Sequence, residues 1–324
     1  MDRSAIFLLC NAAFSCSYIV LSRDAAHYEG HRERAGGTKQ FNREGMTMLT
    51  SMRGLVAASL LAGSSFAAMP AFADETDPPS DITITGSAAV VSQYRFRGLA
   101  QSDNKPVVQA SITISHSSGF YVSTWGSSAS ASSGPPINIG GTEIDVYGGW
   151  TKGLGDSGFT VDVGGYGYIY PGFTPGNYYE IYGSVAKTFG PASAKIGVYV
   201  APGQDVFDLN FTSTKRSNLY VYGDLSSGIP NTPITLHGHL GHTSGGFEYG
   251  KNYLDYNVGA SVKWKALTFD VSVVGTNIGR SDISKGFRGT SLCTGALGSC
   301  TPVNVEYIRR MSKTVVVGSI TASF

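Results

Sequence analysis

Leu254-Asp255-Tyr256-Asn257-Val258-Gly259-Ala260-Ser261-Val262-Lys263-Trp264, then Lys265-Ala266, then Leu267-Thr268-Phe269-Asp270-Val271-Ser272-Val273 is the stretch from which the fold can be read. Side chains point alternately to the two sides of a strand, so a period of two sorts these residues into faces. Leu254, Tyr256, Val258, Ala260, Val262 and Trp264 share one face, and Asp255, Asn257, Ser261 and Lys263 share the other. Beyond the short connection, Leu267, Phe269, Val271 and Val273 oppose Thr268, Asp270 and Ser272. Each segment has one wholly apolar face. A run of about ten alternating residues is the length at which a tilted strand crosses a bilayer.

The pattern recurs across the chain. Val108, Ala110, Ile112 and Ile114 alternate with Gln109, Ser111, Thr113 and Ser115. Ile144, Val146 and Trp150 oppose Glu143, Asp145 and Tyr147. The alternation predicts twelve strands: Ile82–Arg97, Pro106–Ser115, Phe120–Gly126, Thr142–Thr151, Phe159–Tyr170, Asn177–Phe189, Ser193–Val200, Asn218–Leu225, Pro233–His242, Asn252–Trp264, Leu267–Asn277 and Thr314–Phe324. Connections after even-numbered strands are short, as at His116–Gly119, Gly190–Ala192 and Lys265–Ala266. After odd-numbered strands they lengthen, notably at Ser127–Gly141, Ala201–Ser217, Thr243–Lys251 and Ile278–Lys313. An even strand count with short turns at one end and long loops at the other is the rhythm of a transmembrane barrel. A soluble sandwich has no reason to keep it. The expected fold is therefore all-β, a transmembrane antiparallel up-and-down β-barrel of about twelve strands. No period of 20 to 50 residues recurs, which argues against a propeller or solenoid.

The ends and the composition agree. Charged residues make up 15% of the 324, against about 25% in a typical soluble domain, while 42 glycines, 18 tyrosines and 16 phenylalanines favour strand over helix. A net charge of +1 leaves no footprint for nucleic acid. Arg53, the apolar run Leu55–Ala62 and the small-residue site Ala71-Phe72-Ala73 have the order of a secretory signal, with cleavage expected after Ala73. Residues 46–73 are thus expected to be the signal peptide and 74–324 the barrel. Residues 1–45 read as an upstream extension from a mis-assigned start. Beyond Ala73 no apolar run reaches the length of a spanning helix. Cys293 and Cys300 read as a disulfide closing a loop, since a metal pair would lack further ligands and a redox dithiol its C-x-x-C spacing. The final strand turns Val316, Gly318, Ile320, Ala322 and Phe324 to one face. An aromatic residue at such a C-terminus resembles the signal read by outer-membrane assembly machinery.

The segment Val90-Val91-Ser92-Gln93-Tyr94-Arg95-Phe96-Arg97-Gly98-Leu99-Ala100-Gln101-Ser102-Asp103-Asn104-Lys105-Pro106 resembles the opening of the TorF family of porins, long known as conserved hypothetical proteins rich in Gly, Cys and Trp. Ser118–Gly126, Glu143–Trp150, Tyr170-Pro171-Gly172 with Asn177–Tyr182, His239–His242, Tyr253–Tyr256 and the Cys293, Cys300 pair fit as well. The resemblance implies an outer-membrane barrel with porin activity and no more. The partners expected of such a barrel are outer-membrane lipid, the assembly machinery and small solutes or ions. Family members often end in a Ser-Lys/Arg-Ser-Phe-like string, whereas this chain ends in Thr321-Ala322-Ser323-Phe324, which leaves no cation there.

Faces opposite the apolar ones would line the lumen. They carry Arg95, Arg97, Lys195 and Lys263 against Glu143, Asp145, Asp162, Glu180, Asp224, Asp255 and Asp270. Carboxylates outnumber cations, which suits a cation-preferring pore; equally, these charges could pair inside a solid barrel, since twelve strands lie between filled and open sizes. Arg95 and Arg97 share a face of the first predicted strand, and could form a constriction with Glu143 or Asp145 or lock a loop. His237 and His239 share a face, but with no carboxylate or thiol nearby in sequence they read as polar lining, and no metal or cofactor is expected. Trp125, Trp150, Tyr179, Tyr256 and Trp264 suit aromatic girdles at the bilayer interfaces. Gly153-Leu154-Gly155-Asp156-Ser157-Gly158 reads as a turn, because no helix follows to make it a phosphate loop. No G-x-S-x-G elbow occurs. The expected order of functions is porin, then structural or adhesive barrel, then barrel enzyme such as a lipase, for which His242-Thr243-Ser244 is the one local hint.

Overall fold

The computed structural model describes residues 81–130, 139–210, 216–248, 251–286 and 302–324, together with the short strands Cys10–Asn11 and Ser15–Cys16. The chain divides into two compact units, residues 1–53 and 54–324. In the first, Cys10–Asn11 pairs antiparallel with Ser15–Cys16. The signal region with Ala73 and the Cys293, Cys300 pair lie outside the described residues.

The second unit holds a closed barrel of twelve strands. They are β1 Ile82–Val91, β2 Val107–His116, β3 Phe120–Ser128, β4 Thr142–Gly153, β5 Phe159–Ile169, β6 Tyr178–Phe189, β7 Ala192–Ala201, β8 Asn218–Gly228, β9 Ile234–Gly245, β10 Tyr253–Trp264, β11 Leu267–Thr276 and β12 Val315–Ser323. Every strand runs antiparallel to its chain neighbours, and β12 pairs with β1 to close the wall. Closure pairs the backbone groups of both edges, the condition for a sheet to stand in lipid. Ile82 and Phe324 lie at the short-turn end, where Asp81 accepts from the Ser117 N–H and Phe324 exchanges two backbone bonds with Gly86. The Gly153–Gly158 string forms the β4–β5 turn, with one 3₁₀ turn at Gly155–Ser157.

One strand departs from the predicted pattern. β1 ends at Val91, and the chain leaves the wall where alternation predicts strand as far as Arg97. It folds into a small inner hairpin in which Arg95–Phe96 pairs with Leu99–Ala100. Arg97 and Gly98 both take positive φ, 46° and 78°, which reverses the chain in two residues. Polar–apolar alternation cannot reveal such a reversal, because the Tyr-Arg-Phe-Arg run keeps period two through it.

The barrel is inverted with respect to a soluble core. Aliphatic side chains face out along the strands, as with Val108, Ile181, Ile196, Val258 and Val271, and Val258 is 63% exposed. Phe120, Trp150, Phe159, Phe189, Trp264 and Phe324 ring the outside at the short-turn end. Tyr179 and Tyr256 stand outside near the other end. Trp125 is a correction: it faces inward and packs on Tyr94, with ring centroids 5.3 Å apart.

Tyrosines fill the interior. Tyr147, Tyr166, Tyr168, Tyr178, Tyr182, Tyr199, Tyr220 and Tyr222 form one buried cluster. They pack by lying across glycines of adjacent strands: a Cβ on Gly197 would stand 2.5 Å from the Tyr222 ring, and one on Gly241 2.2 Å from the Tyr220 hydroxyl oxygen. Gly149 and Gly164 likewise leave room for the Tyr182 hydroxyl. At the long-loop end, helices α1 Arg280–Gly286 and α2 Pro302–Ser312 close over the hairpin, burying Ile278, Ile283 and Ile308 against Leu99 and Tyr253, and Met311 against Ala100.

Candidate functional site in the barrel interior

The inward positions of the wall strands carry the ionisable groups. Period two puts Glu143 and Asp145 of β4, Asp162 of β5, Glu180 of β6 and Asp255 of β10 on the inner face, and all five are buried. A buried carboxylate is costly unless a donor meets it. Tyrosine hydroxyls supply the donors. Tyr94 donates to Glu143 at 3.0 Å, Tyr166 to Asp145 at 2.8 Å, Tyr121 to Asp162 at 2.9 Å, Tyr168 to Glu180 at 3.1 Å and Tyr220 to Asp255 at 3.1 Å. These tyrosines are the functional residues that charge counting misses. Their signal was present as Tyr166-x-Tyr168 and Tyr220-x-Tyr222, in phase with the acidic face.

Arg97 and Arg95 do not sit on β1 and do not pair with Glu143 or Asp145. The inner hairpin carries Arg97 across the barrel to Glu180 of β6, where Nη2 lies 2.5 Å from Oε2 with both side chains almost wholly buried. Its guanidinium lies 4.2 Å from the Tyr220 ring centre, 4.7 Å from Phe96 and 5.5 Å from Tyr199. Arg97 Nη1 and Glu180 Oε1 are buried without a hydrogen-bond partner, so the pair is single-toothed. Arg95 instead ties the hairpin to its surroundings, donating to the carbonyls of Gly98 and Met311 and to the side chains of Gln93 and Asn104. Burial with no facing carboxylate lowers its guanidinium pKa to about 10.

A second cluster lies on β8 to β11. Strand register places Asp224 opposite His239. His239 Nδ1 lies 2.6 Å from Asp224 and Nε2 3.1 Å from Asp255, with the Tyr220 hydroxyl 2.8 Å from the same nitrogen. His237 Nε2 meets Asp270 at 2.7 Å. The histidines therefore do have carboxylate neighbours, supplied by adjacent strands; sequence proximity could not show them. No group of three or more metal-binding side chains occurs among the described residues. Lys195 of β7 points in above Tyr222, 5.8 Å from its ring. Lys263 is exposed near the short-turn end of β10. The predicted inner carboxylates thus divide into three sets: Glu180 with Arg97, the tyrosine-capped Glu143, Asp145 and Asp162, and Asp224, Asp255 and Asp270 with the histidines.

Comparison with known proteins gives a family without a function. The sequence profile of the family described as "Bacterial protein of unknown function (Gcw_chp)" matches residues 75–294. No curated protein matches. Among solved structures the chain is similar to a KdgM porin at 13% identity, covering 74% of this chain and 99% of that one with a TM-score of 0.45. It is similar to a NanC porin at 11% identity, with 75% and 99% covered and a TM-score of 0.44. The barrel rests on its own strand register and not on these likenesses.

Proposed function

The chain belongs to the Gcw_chp family, whose description assigns no function, and from its barrel we propose that it is a porin-like channel of the bacterial outer membrane, passing small solutes or ions by passive diffusion. The carrying observation is the closed antiparallel wall with aliphatic side chains outward and ionisable ones inward. In water that arrangement would expose a continuous apolar band; in a bilayer it satisfies both solvents. The resemblance of Val90–Pro106 to the TorF porins supports the same reading. Cation preference draws support from the inner face, where seven acidic candidates stand against Arg95, Arg97, Lys195 and Lys263. Export under the signal ending at Ala73, assembly through the Phe324 terminus and a Cys293–Cys300 bridge in the last loop all suit that location. An enzyme is not supported: His242 is exposed on the outward face, away from the inner acids.

One observation favours a second reading, a non-conducting structural or adhesive barrel. The inner hairpin, anchored by Arg97 on Glu180, lies with the tyrosine cluster inside the long-loop half, and α1 and α2 close over it. Planar-bilayer recording of the purified protein under a KCl gradient separates the two. Discrete steps with a cation-directed reversal potential support the channel and its acidic lining. A silent bilayer containing heat-modifiable, folded barrel rejects the channel in favour of the structural reading.

A further inference from the structure

We propose that the inner wall carries a recognition site for guanidinium-bearing small solutes, formed by Glu180, Tyr168, Tyr199 and Tyr220 and filled in this state by the protein's own Arg97. The inference rests on the barrel interior and not on conduction. Its four members come from four consecutive wall strands, β5 to β8, whereas the occupant arrives on the inner hairpin. The wall residues are held by contacts that do not involve Arg97. Tyr168 stacks on Tyr178 with centroids 4.1 Å apart and an interplanar angle of 8°, and its hydroxyl donates to Glu180. Tyr199 packs against Tyr182 and Tyr222, and Tyr220 against Tyr222, with its hydroxyl on Asp255. If the hairpin withdrew, a carboxylate flanked by aromatic faces would remain.

That chemistry selects a planar cation. A guanidinium stacks on aromatic rings and binds a carboxylate through two parallel N–H bonds, which an ammonium cannot do. Arg97 exploits the site incompletely. It makes one bond to Glu180 and leaves Nη1 and Oε1 unpartnered, and its backbone is held at a φ of 46°. A free solute has no such tether and can turn both donors onto both oxygens. Against it stands the high effective concentration of a tethered competitor. The native site is therefore masked, and removing Arg97 should reveal it.

The test is calorimetric titration of agmatine into the purified full-length protein in detergent micelles, each variant first shown to be folded by the gel shift between unboiled and boiled samples. Arg97→Ala should bind agmatine at least about tenfold more tightly than the wild type. The double variant Arg97→Ala with Glu180→Gln should lose that gain, and n-butylamine should bind Arg97→Ala more weakly than agmatine. Folded Arg97→Ala that binds agmatine no better than the wild type overturns the proposal, as does a double variant that binds as well as Arg97→Ala. Should Arg97→Ala fail to fold, agmatine present during refolding should restore the gel shift, and its failure to do so overturns the site. A silent bilayer with agmatine bound to Arg97→Ala would reject the channel and keep the site; conducting, folded Arg97→Ala that binds no agmatine would do the reverse.

Discussion

Gly241 faces the barrel interior and Gly165 faces outward, and their substitution should have different consequences. A methyl on Gly241 would stand 2.2 Å from the Tyr220 hydroxyl oxygen and 2.6 Å from Asp255 Oδ2, whereas one on Gly165 meets nothing within 4 Å. Gly241→Ala should destabilise the barrel by about 1–3 kcal/mol, and Gly165→Ala should be neutral or slightly stabilising; the temperature at which the gel shift is lost measures both. Glu180→Gln is expected to cost more, about 3–5 kcal/mol, because it strands the buried guanidinium of Arg97. Urea unfolding in micelles should show that loss, and an unchanged midpoint would mean the pair is not closed in solution. At this scale the sequence was half legible. Period two assigned Glu143, Asp145, Glu180 and Asp255 to the inner face. It put tyrosines in phase with the acids but could not match donor to acceptor, which lie on different elements, nor find the positive φ at Arg97 that aims this residue at Glu180.

Among the elements, wall strands were readable and the pieces inside them were not. A strand declares itself by alternation over about ten residues, but the inner hairpin has two residues per arm and inherits the alternation of β1. α2 carried signals that alternation ignores, Pro302 at its first position and Arg309 and Arg310 in its last turn. The helices are also where acid should act. The Lys251 ammonium, 2.9 Å from Asp282, and the Gly279 N–H hold the Asp282 carboxyl below its ordinary value. A carboxyl whose pKa is depressed on folding contributes stability above its unfolded pKa and loses it as pH falls through the folded one. Docking of α1 should hence loosen below about pH 4, seen as faster amide exchange in Arg280–Gly286, and Asp282→Asn should abolish the pH dependence. If the hairpin lies across the solute path, Arg97→Ala should also enlarge the conductance steps; equal steps would place the path elsewhere.

For the whole molecule, the decisive property is which side of the wall is wet. Val258 lies midway along β10, faces outward and would be an unremarked surface position in a soluble protein. In a bilayer, Val258→Arg should cost about 2–4 kcal/mol and reduce the yield of heat-modifiable barrel in the membrane fraction. Undiminished yield would argue that the band does not meet lipid. The strand number and the alternation of turns and loops were legible because they depend on local pattern and connection length. Whether the centre is open or filled was not, because that depends on the volume of tyrosines and on a loop that turns inward.

The wall's closing seam is its most non-local pairing. β12 meets β1 through Ser319–Ser323 against Ser87–Val91, and Val315–Val317 extend beyond that register because β1 has already turned inward. At the seam's upper margin Gly318 N–H donates to Ser92 Oγ, 226 residues away in the chain. Pairing the most distant strands of the chain through so short a junction carries the largest loop-closure cost in the wall. The strand that completes the circle, β1, also leads directly into the hairpin that enters it.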